Sequence, residues 1–248
     1  MLRPVLTALF LIATPALAFD IDAMSDAERQ TFREEIRAYL LENPEVLMEA
    51  IAVLEERRSR ESVQAEGQML ETHRAAIFED GYSWVGGNPD GDVTMVEFMD
   101  YRCGYCKRAH PHVTDLLEMD GNIRFIVKEF PILGQQSVLA SRYAIAVHQV
   151  AGDEAYAKVH EALMTWSGDI NEGVLARIGR EADVDQDAVL AHMDSDEVTA
   201  VIDQNRQLAQ ALQIQGTPSF VMGDQFVRGY IELDQMLEIV DGIRADRG

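Results

Sequence analysis

Phe32, Ile36 and Tyr39/Leu40 recur at intervals of three to four residues, and Arg29, Arg33, Glu34, Glu35 and Arg37 fill other positions of that stretch. This spacing predicts an amphipathic helix. Ser25 stands at its start, and Glu28 three positions on completes a capping box. Asn43-Pro44 interrupts the pattern, because proline cannot donate to the preceding turn. A second stripe then runs through Leu47, Ala50/Ile51 and Leu54 into a polar stretch at 55–66, closed by Gly67. Helix is thus predicted almost throughout residues 25–78. Such a segment can be a surface helix packed on its own domain. Two thin stripes split by a proline fit better a stem that seeks another copy of the chain.

Gly86-Gly87-Asn88-Pro89-Asp90-Gly91-Asp92 is dense in turn formers and marks the boundary to a compact domain. Residues 93–99 read as a buried strand, apolar or β-branched except for Glu97. A helix over 104–118 and a strand over 124–130 follow. Ala- and Leu-rich helical segments fill 137–212, broken at Gly152, Ser167-Gly168 and Asp183-Val184-Asp185. A hairpin (219–222, turn at Gly223-Asp224, 226–228) and a helix from Glu232 close the chain. The order is strand–helix–strand, a block of helices, then a hairpin and a helix: an α/β protein.

The first 18 of the 248 residues have the character of a signal peptide. Arg3 gives a positive start, residues 5–13 are apolar apart from Thr7, and Ala16-Leu17-Ala18 supplies the small-x-small cleavage pattern. An uncleaved anchor is disfavoured, since the apolar run falls far short of the ~20 residues a span needs. The expectation is an exported, periplasmic protein beginning at Phe19. Acids outnumber bases 43 to 21, for a net charge of −22. That charge argues against nucleic acid and anionic lipid as partners.

Two cysteines are present, three positions apart. Cys103-Gly104-Tyr105-Cys106, straight after a strand and opening a helix, is the pattern of a redox-active dithiol. The first cysteine falls at a helix N-terminus, where free amides and the helix dipole favour a thiolate. The second lies one turn on, close enough to close a Cys103–Cys106 disulfide. Arg102, Lys107 and Arg108 add positive charge. A purely structural bridge is a poor alternative, because so short a loop hardly constrains the unfolded chain. A metal site is the sharper rival, since His110 and His112 extend the pattern to Cys-x2-Cys-x3-His-x-His. On one helix, however, those histidines point about 200° apart. A reduced pair can still bind Cu(I). Glu97, six residues before Cys103, is either a strand-end carboxylate reaching solvent or a buried acid able to exchange a proton with Cys106. Gly216-Thr217-Pro218 ahead of a strand is a weak signal alone and a stronger one in this element order.

Val96-Glu97-Phe98-Met99-Asp100-Tyr101-Arg102-Cys103-Gly104-Tyr105-Cys106-Lys107, Lys128-Glu129-Phe130-Pro131-Ile132-Leu133-Gly134 and Gly216-Thr217-Pro218-Ser219-Phe220 together resemble the DsbA family of exported thiol–disulfide oxidoreductases. The resemblance covers about residues 82–245. It implies a thioredoxin fold with an inserted helical domain (about 135–212) and an N-terminal helical stem. The division would be a signal peptide at 1–18, a stem at 19–80 and a DsbA-like domain at 81–248. Cys103 would be the attacking thiol, Cys106 the resolving one, and Glu97 the family's buried acid. Pro218 would be a cis-proline beside the pair, with Thr217 and Tyr105 contacting an extended client. The CGYC motif and the stem look most like the suppressor of copper sensitivity protein C (ScsC) branch, which implies oligomerisation and, in some members, disulfide isomerase activity. Tyr105 replaces the histidine of the family prototype, so an imidazolium contribution to the thiolate is absent.

The expected partners are unfolded or misoxidised exported proteins and a membrane redox protein, either a DsbD- or ScsB-like reductase or a DsbB-like oxidase. No resident metal or cofactor is called for. Three functions stay open: a thiol–disulfide enzyme, as isomerase or as oxidase; a copper-tolerance protein binding Cu(I) at the reduced pair; and an assembly module carrying an inert domain.

Overall fold

The computed structural model describes residues 22–247, so the signal-peptide segment lies outside the described residues. The chain forms two compact units, one ending at Arg60 and the other running from Glu61. In the first, helix α1 (Asp26–Glu42) begins with the expected capping box. Ser25 Oγ accepts from the Glu28 amide, and Glu28 Oε2 accepts from the Ser25 amide at 2.9 Å. Asn43 ends α1 and α2 (Glu45–Thr72) starts just past Pro44. No residue of α1 is buried. Ile36, Tyr39, Leu47, Ile51 and Leu54, all on the predicted stripes, are exposed.

Among the described residues the second unit holds a five-stranded sheet: β1 (Trp84–Gly87), β2 (Val93–Met99), β3 (Ile123–Glu129), β4 (Ser219–Met222) and β5 (Gln225–Arg228), in the order β1-β3-β2-β4-β5. β2 and β3 are parallel, and the other neighbours are antiparallel. The parallel pair requires a crossover, supplied by α4 (Gly104–Asp120). Successive side chains of β2 enter opposite cores. Val93, Met95 and Met99 pack with α4, with α5 (Gln135–Ala151) and α6 (Asp153–Thr165) of the insertion, and with α10 (Leu233–Ala245). Val96 and Phe98 pack on the other face against Leu70, Ile77, Leu208 and Leu212. Glu97 falls between Val96 and Phe98, so the period of two sends it to the α4 face. Helices α7 (Glu172–Glu181), α8 (Gln186–His192) and α9 (Asp196–Ala211) complete the inserted block between β3 and β4.

One expectation is corrected. Gly86 and Gly87 were expected in a turn but finish β1, paired with β3. A Cβ on Gly86 would lie 2.2 Å from the Trp84 indole, and one on Gly87 (φ +65°) would lie 2.4 Å from the Ile123 carbonyl. Here glycine answers close backbone approach within a strand. Part of the segment expected in the stem also belongs to the second unit. Leu70 and Ile77 are buried in the second unit, as is α3 (Arg74–Phe78) in part. Beyond it the fully buried Lys128 ammonium donates to the Ala76 carbonyl at 2.9 Å and pairs with Asp80. Residues from Leu70 to Asp80 therefore pack on the domain. Periodicity could not show this, because a helix reads alike whichever chain covers its stripe.

Breaking one side of a buried ion pair leaves a buried charge without its partner. Asp80→Ala is expected to cost about 3–5 kcal/mol in urea unfolding. Adding Lys128→Met to it should recover most of that loss.

Candidate active site

The end of β2 and the start of α4 create the site. The buried Asp100 carboxylate accepts from the Arg102 amide (2.7 Å) and from the Ile132 and Leu133 amides (2.8 and 3.0 Å). It thereby ties the loop before Cys103 to the loop after β3. Cys103 is the N-cap residue of α4, and its sulfur accepts from the Cys106 amide at 3.4 Å. Across the cleft, the Thr217–Pro218 peptide bond is cis. The Cys103 thiol donates to the Thr217 carbonyl at 3.2 Å. Cys103 is 6% exposed and Cys106 is fully enclosed. Neither is bonded to another cysteine in this structure.

The two sulfurs differ sharply in acidity. The hydrogen bond from Cys106 to the Cys103 sulfur does most to lower the Cys103 thiol, and the Cys106 and Tyr105 amides assist. Burial opposes them, and the result is about 5. Burial pushes the Cys106 thiol well above its ordinary value, and its bond to Cys103 and the Glu97 charge push the same way. Glu97 is wholly buried, and its Oε1 has no hydrogen-bond partner among the described residues. Burial first, then the Cys103 charge, raises its carboxyl to about 8. Near pH 7 the floor of the site is thus protonated at Glu97 and Cys106, while Cys103 is a thiolate.

His110 and His112 leave α4 in different directions. His110 Nε2 meets Glu161 at 2.6 Å and His112 Nε2 meets the Tyr230 hydroxyl at 3.0 Å. Neither is brought to the dithiol. Tyr105 is 62% exposed, with its ring 6.2 Å from that of Tyr230.

Sequence reasoning missed a further buried acid. Glu129 Oε1 accepts from the Tyr101 and Tyr156 hydroxyls, both at 2.7 Å, and Oε2 accepts from Ser141 at 2.7 Å. Burial lifts its carboxyl to about 7 against the pull of those hydroxyls. The available signal was Lys128-Glu129 straight after the apolar run Phe125-Ile126-Val127 of β3, the same kind of anomaly as Glu97 in β2. The two charges alternate between faces: Lys128 reaches Asp80, and Glu129 reaches the insertion.

A cysteine pair at a helix N-terminus, set against a cis X–Pro bond in a mixed sheet, defines a thiol–disulfide oxidoreductase of thioredoxin type. The thioredoxin family model matches residues 79–242, and that of the copper resistance protein ScsC N-terminal domain matches residues 28–61. A thioredoxin-like oxidoreductase from Silicibacter pomeroyi DSS-3 is similar at 44% identity and TM-score 0.66, over 69% of this chain and 98% of that one. Proteus mirabilis ScsC in a transitional conformation matches 92% of this chain and 100% of its own, at 27% identity and TM-score 0.66. Disulfide bond formation protein D of Bacillus subtilis is 23% identical over 167 residues, 62% of this chain and 74% of that protein. Na(+)/H(+) antiporter NhaA 1 of Salinispora arenicola is 26% identical over 153 residues, and the chain spans 23% of that protein's length. The chain belongs to the thioredoxin family, in the ScsC branch of its DsbA-type thiol–disulfide oxidoreductases.

Glu97 carries a pH signature. Its folded value lies above the unfolded one, so between about 4.5 and 8 the folded state holds a proton that the unfolded chain has lost. Stability from this group is complete below about pH 4.5 and falls as the pH rises through that window. The reduced Glu97→Gln variant should therefore gain on the parent as pH increases, by about 3 kcal/mol at pH 7. Urea titrations at a series of pH values test this, and a difference that stays flat with pH would refute it.

Proposed function

We propose that the protein is an exported, oligomeric disulfide isomerase of the bacterial periplasm, acting on misoxidised client proteins. Cys103 is the attacking thiol and Cys106 the resolving one. The Cys103 thiolate attacks a client disulfide, so that a Cys103–client bond forms, the client's own S–S bond breaks and a client thiolate departs. That thiolate can attack a second client disulfide, and the thiolate this releases attacks the client sulfur held by Cys103, so that a new client S–S bond forms, the Cys103–client bond breaks and the enzyme leaves as the reduced dithiol. Where release stalls, Cys106 gives up its proton, attacks Cys103 and frees the reduced client as the Cys103–Cys106 disulfide forms. Once Cys103 is bonded to the client, its charge no longer holds the Glu97 proton in place, and Glu97 in its ionised form takes the Cys106 proton and returns it when Cys106 is again the leaving group. Thr217 and Pro218 face the thiol and hold the extended client, with Tyr105 at the rim.

The polarised dithiol carries the redox half of this reading. Oligomerisation rests on α1, which buries none of its residues, and on the match of residues 28–61 to the ScsC N-terminal domain. Of residues 25–78, the part ahead of the domain joins the copies, the exposed stripe up to Leu54 making the contact. Several active sites around one client raise the effective concentration of the second attack. A membrane reductase of the DsbD or ScsB kind would keep the pair reduced, whereas a DsbB-like oxidase would make the same chain an oxidase.

Reactivation of scrambled ribonuclease by the mature protein, beside a variant starting at Glu61, tests the assignment. The longer form should give an oligomer mass by light scattering and restore ribonuclease activity. The shorter form should be monomeric and lose most of that activity. A monomeric mature protein, or equal reactivation by both, would contradict the isomerase reading. Cys103→Ser should abolish exchange while leaving the oligomer intact. The ScsC match also supports a second reading, Cu(I) binding at the two thiols, tested by competition with a Cu(I) chelator.

A further inference from the structure

Of the cations flanking the dithiol, two are already committed. The Arg102 guanidinium donates to the Gly168 carbonyl and lies 3.9 Å from Asp169. The Lys107 ammonium donates to the Leu163 carbonyl at 3.0 Å and to the Trp166 carbonyl. Both fasten the inserted helices to the redox helix. Arg108 is different. Its side chain is 62% exposed, its guanidinium lies 4.7 Å from the Tyr230 ring centroid, and its carboxylate neighbour is Glu232 at 3.8 Å.

Tyr230 is a fixed platform. Its hydroxyl bonds His112, and its ring neighbours that of Tyr105, the residue between the cysteines. The preceding residue, Gly229, donates its amide to the Pro218 carbonyl at 3.0 Å. The patch therefore shares backbone with the cis-proline that stands opposite Cys103.

We propose that Arg108, mounted on Tyr230 beside Tyr105, is a client subsite that favours cysteines flanked by a carboxylate side chain. This rests on the thiol-exchange reading of Cys103. The Tyr230 ring lies beside the guanidinium at 4.7 Å, and with 62% of the side chain exposed its fork of N–H donors stays open to a carboxylate. The pair with Glu232 is long and exposed at both ends, so a client carboxylate can replace it at little cost. The chain's charge of −22 opposes acidic clients at long range, but screening limits that opposition to charges within about 8 Å of the docked segment. Close to the thiol, Arg108 decides the sign.

The test uses the reduced full-length protein and three peptides that differ only beside their single cysteine, with Asp, Asn or Lys there. Each peptide carries its cysteine as a mixed disulfide with thionitrobenzoate. Attack by the Cys103 thiolate forms the Cys103–peptide bond and breaks the peptide–thionitrobenzoate bond, and the leaving thiolate is followed by its absorbance. The Asp peptide should react about 2- to 5-fold faster than the Lys peptide at low salt, with the ratio shrinking as salt is added. Arg108→Glu should invert the order and Arg108→Lys should keep it. An Asp-to-Lys ratio of one or below in the parent, or a ratio unchanged in Arg108→Glu, overturns the subsite. No release from any peptide overturns the exchange reading itself, and the subsite with it.

Discussion

Two sulfurs one helical turn apart lie on opposite sides of an electrostatic boundary, and the site's chemistry depends on that boundary. Cys103 sits at the mouth of α4, where the first amides of the helix and the Cys106 thiol converge on its sulfur. Cys106 and Glu97 lie in the interior below, where burial outweighs the interactions that favour ionisation. An interior of low polarity penalises the charged form of both. The pair therefore carries its negative charge at one place, the sulfur a client can reach. Stabilising that thiolate stabilises the reduced form, which is what makes the corresponding disulfide an oxidant.

The scaffold keeps the boundary sharp. Asp100 binds three backbone amides from two loops and fixes where α4 begins. Arg102 and Lys107 tie the inserted helices to the start of α4. Below, Glu129 gathers hydroxyls from the Asp100–Cys103 turn, α5 and α6 into one buried cluster. Polar groups enclosed in this way either satisfy one another or cost stability. Glu129 is fully satisfied, whereas Glu97 leaves one oxygen without a partner. That contrast separates a structural acid from one available for proton exchange.

Much of this was legible in the chain. The strand–helix–strand order, the insertion and the hairpin follow from periodicity and turn formers, and the dithiol from spacing alone. Glu97 stood out because a charge in an apolar strand has few explanations. Burial of Lys128 and Glu129 was less legible, since their partners Asp80 and Tyr156 are distant in sequence. The same limit applies to the end of the stem segment, whose last residues look helical and amphipathic whether they cover this domain or another chain. Trp84-Val85-Gly86-Gly87 hid a strand behind two glycines selected by close contact. Arg108 and Tyr230 are separated by more than a hundred residues, and only the fold brings the guanidinium over the ring.

The polarisation of the two sulfurs is the claim on which the rest stands, and thiol titration tests it most directly. Alkylation of the reduced protein across a pH series, with each cysteine read separately by mass spectrometry, gives the acidity of each. A single step with a midpoint near 5 at Cys103, and Cys106 unreactive throughout, is the expected result. A Cys103 midpoint near the ordinary thiol value of about 8.5, or the two cysteines reacting together, would contradict the account.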